Sequence, residues 1–279
     1  MSEVSINDIK LHYVSIAEAK QLPGLRIVLG AYADPGMWRE ACKGICYAKG
    51  LSYTPVVTAN AGSSDTEFGL NGTDRELREW TAQSSAPVMV WNDERPRSTW
   101  TEQLYLAERL APEPSLIPRS VEDRVRMFGL AHELCGENGF GWMGRLMLVD
   151  IGMEPLEKDG AAYNFWLRFG QKYGLSAEAI AAAPGRMAEC LTALDTQLAA
   201  EQSRGHRFFF GNTLSALDIY WATFLGLVEP LPEEQCPMAS FFRPLYTNTH
   251  PVVRAALSAR LIAHREFIYR EFLELPVVF

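Results

Sequence analysis

The sequence lacks long apolar runs, paired cysteines and clusters of basic residues. The longest uncharged apolar stretch, Ile219–Val228, is far shorter than the ~20 residues that a membrane-spanning helix needs. The first ten residues carry Glu3 and Asp8 and no apolar core, so we expect no secretory leader. The five cysteines form no C-x-x-C motif, and an odd number does not indicate a disulfide framework. These absences predict a cytoplasmic protein without a membrane anchor.

The composition is that of a globular protein. Of the 279 residues, 48% are hydrophobic and 22% charged, which favours one large or two ordinary domains. The chain has 26 basic and 34 acidic residues, a net charge of −8. An acidic chain without a basic cluster binds polyanions poorly, so we expect no nucleic-acid partner.

Residues 1–112 alternate strand-like and helix-like segments, as in a thioredoxin-like α/β domain. Three β-prone runs are predicted as strands: Leu25–Tyr32, Leu51–Thr58 and Ala86–Trp91. Asp34 and Pro35 predict the N-cap and first residue of a helix that ends near Gly50. Thr99 and Glu102 form a capping-box pattern and predict a helix through Leu110.

Residues 113–279 read as an all-α domain, because apolar residues recur at helical spacing from about Ser120 onward. Ser215 and Asp218 form a capping pattern before an aromatic-rich helix, which indicates a structural role. The predicted helices are 124–134, one near Leu146, 161–173, 176–183, 185–201, 219–227, and 251–273 either whole or broken.

Four motifs, in this order along the chain, resemble the glutathione S-transferase family. They are Lys49–Tyr53, Ser85–Val90, Ser98–Leu106 and Phe209–Ile219. The resemblance implies a thioredoxin-like domain over 1–112 that binds glutathione, followed by an all-α domain over 113–279 that lines an electrophile pocket. It also implies a homodimer and a small-molecule electrophile as partner.

The resemblance implies a glutathione site in the first domain. Ala86 would pair through its backbone with the cysteinyl part of glutathione, next to a cis Pro87. Ser98 and Thr99 would hold the γ-glutamyl carboxylate at a helix N-terminus, where free N–H groups favour an anion. Trp38 would line the site. A helix start at which Thr99 and Glu102 only cap each other is the structural alternative.

The residue that would activate the thiol is less evident. The family's usual Ser or Cys position falls on Gly36, and a carboxylate at Asp34 would raise a thiol pKa rather than lower it. Tyr32 is the nearest hydroxyl, and Arg39 could stabilise a thiolate. We therefore take Tyr32 and Arg39 as catalytic candidates, with packing roles as the alternative for both.

Three residues in the second half are candidates for the electrophile pocket: Glu133, Glu137 and Trp142. The alternative is a helix with solvent-facing acids and a glycine break. His132 and Glu133 do not belong to an HExxH zinc motif, so no metal is expected. Cys42 and Cys46, four residues apart, fit core packing better than redox chemistry.

The sequence thus predicts a glutathione-dependent transferase-like enzyme that uses glutathione as co-substrate. A lyase, an ether-cleaving enzyme or an isomerase would carry the same motifs. Two alternatives are a non-catalytic binding or assembly module of the same fold and a thiol–disulfide oxidoreductase, which would need an exposed cysteine.

Overall fold

Three short strands form a mixed sheet in the first part of the chain. The structure, a computed structural model, describes residues 11–29, 34–57, 75–158, 160–239 and 242–279. The strands are β1 (Leu25–Val28), β2 (Thr54–Val56) and β3 (Val88–Trp91). Their order is β2–β1–β3, with β1 parallel to β2 and antiparallel to β3.

Twelve α-helices lie in the described residues, and a 3-10 helix, Leu225–Leu227, follows the ninth. The α-helices are α1 (Ile16–Ala19), α2 (Met37–Ala48), α3 (Arg75–Thr81), α4 (Trp100–Leu110), α5 (Val121–Cys135), α6 (Phe140–Met153), α7 (Ala161–Gln171), α8 (Ala177–Ser203), α9 (Ala216–Phe224), α10 (Phe242–Tyr246), α11 (Pro251–Ala256) and α12 (Ala259–Phe272). None of the helices described here is both long and apolar enough to cross a membrane.

Side chains that alternate along the strands form two cores, one on each face of the sheet. On β1, Val28 joins a cluster with Ile16 of α1 and Leu77 of α3. Ile27 points to the opposite cluster, which contains Cys42 of α2 and Leu106 of α4. The sheet therefore lies between α1 and α3 on one face and α2 and α4 on the other.

The chain divides into two compact units. Unit 1 comprises Met1–Pro112, Pro232–Phe242 and Glu274–Phe279, and unit 2 comprises Glu113–Leu231 and Arg243–Leu273. The sequence placed all of 113–279 in the second domain. Two later segments group with unit 1 instead, because Val277 N donates to Gln235 O (2.7 Å) and Lys43 Nζ donates to Val278 O (2.5 Å).

Unit 2 is built around α9, of which every residue is buried. Asp218 near its start accepts hydrogen bonds from Ser215 N (2.8 Å), Ser215 Oγ (2.6 Å) and Phe209 N (3.0 Å). Its Oδ1 also lies 2.7 Å from Nε2 of the buried His264 on α12. The structural role predicted for Ser215 and Asp218 is confirmed, since both are buried and bonded within the fold.

Two glycines of unit 2 allow opposite predictions. A Cβ on exposed Gly129 of α5 would meet nothing within 4 Å, so we expect Gly129→Ala to raise the free energy of unfolding by about 0.5–1 kcal/mol. A Cβ on buried Gly152 of α6 would lie 2.8 Å from the Trp166 indole. We therefore expect Gly152→Ala to lower the free energy of unfolding by about 1–3 kcal/mol. Urea denaturation of the two variants measures both changes in the free energy of unfolding. A loss of stability in Gly129→Ala would contradict the open environment of that residue.

Candidate functional site

The helix that follows β1 begins two residues later than predicted. Gly36 is the N-cap of α2, with extended backbone (φ −68°, ψ 109°) and no side-chain cap. The prediction of Asp34 as N-cap is therefore wrong. The carboxylate of Asp34 instead forms an ion pair with Arg39, five residues later, with Oδ1 3.1 Å from Nη2.

Arg39 is buried and surrounded by acceptors. Its guanidinium donates to the backbone oxygens of Leu29 (3.4 Å) and Asp34, and its Nε lies 3.7 Å from Glu40 Oε1. Burial alone would lower the pKa of Arg39, but the carboxylates of Asp34 and Glu40 outweigh this and raise it. Arg39 thus stays cationic and connects the end of β1 to the start of α2. Its predicted effect on a thiolate stays a prediction.

Gly36 lies directly over this guanidinium. A Cβ at Gly36 would come 3.3 Å from Cζ of Arg39, which is tighter than an ordinary contact. Gly36, which the motif resemblance aligns with the family's usual Ser or Cys, is therefore an N-cap without a side chain and lies next to the Arg39 guanidinium. Trp38, the next predicted site residue, is half-buried on the first turn of α2. Tyr32 lies outside the described residues.

All five cysteines are free and buried. Burial raises the pKa of the Cys46 thiol to about 12 and that of Cys42 well above its ordinary value. Burial likewise raises the pKa of Cys190 to about 11. A thiol–disulfide oxidoreductase needs an exposed thiol with a low pKa, so the structure disfavours that alternative.

The turn before β3 presents open backbone groups. The Ala86–Pro87 peptide bond is cis, and Ala86 is half-buried. Neither the N–H nor the C=O of Ala86 has a hydrogen-bond partner among the residues that the structure describes. An extended ligand could therefore pair with Ala86 as a further strand would.

Gln103 connects this turn to α4, a contact that the sequence reading missed. Its buried Nε2 donates to Pro87 O (2.9 Å) and lies 3.5 Å from Arg97 O. Gln103 shares the buried stripe of α4 with Leu106 and Ala107 at helical spacing. A polar residue within an apolar stripe was the signal in the sequence, since a buried amide needs partners. Through Gln103 the N-terminal turn of α4 lies beside the Ala86–Pro87 turn.

The N-terminus of α4 carries the predicted capping box. Thr99 is the N-cap, and Glu102 N donates to Thr99 Oγ1 (3.2 Å). Glu102 in return accepts from Thr99 N (3.3 Å), Ser98 N (3.4 Å) and, through its other oxygen, Arg95 Nη1 (2.6 Å). Burial would raise the pKa of Glu102, but the hydrogen bonds from Arg95 and Thr99 outweigh burial and lower it. The carboxylate of Glu102 thus accepts hydrogen bonds from Ser98 and Thr99, the two residues that were predicted to bind a ligand carboxylate.

The three electrophile-pocket candidates lie in unit 2 and have different surroundings. Glu133 is half-buried and ion-paired with Arg186 of α8. Glu137 is exposed in the loop after α5. Trp142 of α6 packs edge-on against Tyr173, with ring centroids 5.1 Å apart. Their role at an electrophile stays a prediction. No group of three or more His, Cys, Asp or Glu side chains in the described ranges could hold a metal ion.

Comparison with known proteins agrees with this architecture. The family model of the glutathione S-transferase C-terminal domain matches residues 177–255, most of which lie in unit 2. This part of the chain is therefore similar to the C-terminal domain of the glutathione S-transferase family. The resemblance and the fold class predicted from the motifs are thereby confirmed. No curated protein matches the sequence.

Solved structures of glutathione S-transferases and related proteins share the fold of this chain at low sequence identity. The beta-etherase LigF from Sphingobium sp. strain SYK-6 is 16% identical, with a TM-score of 0.55, over 84% of this chain and 98% of that chain. Glutathione transferase Omega 3C from Trametes versicolor is 12% identical, with a TM-score of 0.53, over 98% of this chain and 90% of that chain. A glutathione S-transferase from Rhodospirillum rubrum F11 is 16% identical, with a TM-score of 0.50, over 84% and 92%.

Proposed function

We propose that this protein binds glutathione on unit 1 and transfers it to an electrophilic small molecule. The observation that carries the proposal is the open backbone of Ala86 beside the N-terminus of α4, with Gln103 joining the two. The Ala86 backbone would pair with the cysteinyl residue of glutathione. Ser98 and Thr99 would face its γ-glutamyl carboxylate.

The proposed chemistry is nucleophilic attack by the glutathione thiolate. The thiol proton leaves to solvent or a base, the sulfur forms a bond to an electrophilic carbon, and the leaving group departs with its electron pair. Holding both reactants together supplies the entropic part of the acceleration. An ether-cleaving reaction follows the same scheme with an aryloxide as leaving group, and the beta-etherase named above has this fold.

Tyr32, which lies outside the described residues, stays the hydroxyl donor to the sulfur that we propose from the sequence. A non-catalytic binding module is the second candidate, and the absent side chain at Gly36 is the observation that favours it. Glutathione binding without activity toward any electrophile would support that candidate. The homodimer and the cytoplasmic location stay predictions from the family resemblance and the sequence.

Calorimetric titration with reduced glutathione tests the proposal. We expect saturable binding, weakened by Thr99→Ala through loss of a charge-assisted hydrogen bond by about 1.5–3 kcal/mol, which is more than tenfold. Thr99→Ser keeps the hydroxyl and is the matched control, with affinity close to that of the unmodified protein. Absence of saturable binding to the unmodified protein at millimolar glutathione would overturn the proposed function.

A further inference from the structure

Four charged side chains at the start of α2 are buried beside one another. Their exposed fractions are 13% for Asp34, 8% for Arg39, 7% for Glu40 and 10% for Lys43. The Glu40 carboxylate lies between the two cations, with Oε1 3.7 Å from Arg39 Nε and Oε2 2.8 Å from Lys43 Nζ. Because water screens buried charges only weakly, each of these four groups acts on its neighbours.

The Lys43 ammonium is held by contacts other than Glu40. Its Nζ donates to Val278 O (2.5 Å) and lies 5.8 Å from the centroid of the Phe279 ring. Phe279 O in turn accepts a hydrogen bond from Leu11 N (3.0 Å). These contacts keep the ammonium beside the Glu40 carboxylate and out of solvent.

Glu40 lies one helical turn from Gly36, the N-cap of α2. Glu40 N donates to Gly36 O (2.8 Å), and Cζ of Arg39 lies 3.3 Å from the place that a Cβ of Gly36 would occupy. A carboxylate one turn away opposes the positive potential of the guanidinium and of the helix N-terminus. The Lys43 ammonium offsets that carboxylate, so the potential at Gly36 depends on Lys43.

The other titratable groups around this cluster are neutral near neutral pH. Burial raises the pKa of Tyr13, which interacts with Arg39 and Glu40, to about 12. Burial also raises the pKa values of Tyr53, just before β2, and of Cys42 on α2, both of which interact with Glu40. Among the described residues, the charge at the start of α2 therefore comes from the four side chains named above.

We propose that Lys43 is a positioning residue, which holds and neutralises the Glu40 carboxylate so that the charge of Arg39 stays available to a thiolate at the start of α2. The inference rests on the proposed function, since it places the glutathione sulfur near Gly36. Lys43 acts through Glu40 rather than on the ligand. Without Lys43, the Glu40 carboxylate would oppose Arg39 in full, and the bound thiol would ionise less readily.

Two substitutions that change the charge in opposite directions test this role. We expect Glu40→Gln to lower the apparent pKa of the bound glutathione thiol by about half a unit to one unit, and Lys43→Met to raise it by a similar amount. The double variant Lys43→Met/Glu40→Gln should return it close to that of the unmodified protein. The measurement is the ultraviolet absorbance of the thiolate against pH, as the difference between the glutathione complex and the free protein.

Two further comparisons keep folding and net charge apart from the effect. The double variant removes both charges of the buried pair and is expected to fold even where Lys43→Met does not, so its comparison with Glu40→Gln isolates Lys43. Glu79→Gln removes an exposed carboxylate from α3 of the same unit and should leave the thiol pKa unchanged.

The outcomes distinguish this proposal from the proposed function. Shifts of the same sign in the two single variants, or equal thiol pKa values in Glu40→Gln and the double variant, would overturn the role of Lys43 while glutathione binding stands. A shift in Glu79→Gln equal to that in Glu40→Gln would overturn it as well, because the effect would then come from net charge. Absence of glutathione binding by the unmodified protein overturns the proposed function itself, and the role of Lys43 with it.

Discussion

Asp218→Ala is expected to lower the free energy of unfolding of unit 2 by about 3–5 kcal/mol, the loss that follows when one partner of a buried charged network is removed. The carboxylate is fully buried, and it accepts from two backbone amides, from Ser215 Oγ and from His264 Nε2. Alanine would leave these donors without a partner inside the core. Urea unfolding followed by circular dichroism measures the loss.

Asp195→Ala is the matched control in the same unit. Asp195 also binds a cation and a hydroxyl, Arg260 Nη1 (2.9 Å) and Ser258 Oγ (2.5 Å), but its side chain is 28% exposed. Water can replace these hydrogen bonds, so we expect Asp195→Ala to lower the free energy of unfolding by about 1 kcal/mol or less. Equal losses in the two variants would contradict the central role of Asp218.

Lys49→Met is expected to destabilise unit 1 by about 3–5 kcal/mol. The Lys49 side chain is fully buried, and its Nζ lies 2.6 Å from Glu108 Oε1, whose side chain is 15% exposed. The pair joins the end of α2 to α4, and methionine would leave the Glu108 carboxylate without this cation. Chemical denaturation of unit 1, followed by tryptophan fluorescence, measures the change.

The double variant Lys49→Met/Glu108→Leu should recover most of this loss, because replacing both partners of a buried pair by apolar residues is often neutral. Its recovery would show that loss of the cation next to the Glu108 carboxylate, rather than lost packing of the lysine stem, causes the instability. A double variant as unstable as Lys49→Met would contradict this explanation.

Local signals predicted the helix starts well where the capping groups are close in sequence. The capping box of Thr99 and Glu102 is confirmed, because both its donors and its acceptors lie within one turn. The start of α2 was predicted wrongly. Asp-Pro is a good local start signal, but the carboxylate of Asp34 pairs with Arg39 five residues later.

Proline also misled the sequence reading of α8. Helices over 176–183 and 185–201 were predicted, yet α8 runs unbroken from Ala177 to Ser203 with Pro184 inside it. One missing N–H donor is tolerated when packing on α6 and α11 holds a long helix together. The extent of β2 was likewise overestimated, since only Thr54–Val56 pairs with β1.

The residues of the candidate site could be predicted from the sequence, but the contacts that their neighbours make with them could not. Ala86, Ser98 and Thr99 were named as site residues from the family resemblance, whereas the capping box of Thr99 and Glu102 could be predicted from local pattern because its groups lie within one turn. The pairing of Arg95 with Glu102 and the contact of Gln103 with Pro87 depend on how loops fold back on α4. Sequence spacing does not determine such contacts.

The division of unit 1 into three stretches of chain has a consequence for its synthesis. Domains generally fold from the N-terminal end as the ribosome releases them. Here Leu11 N donates to Phe279 O (3.0 Å) and Val277 N donates to Gln235 O (2.7 Å), so unit 1 reaches its final contacts only after the helices described in unit 2 have been translated. While the residues of unit 2 are being translated, the nascent chain therefore carries an incompletely folded unit 1 to which chaperones and proteases have access.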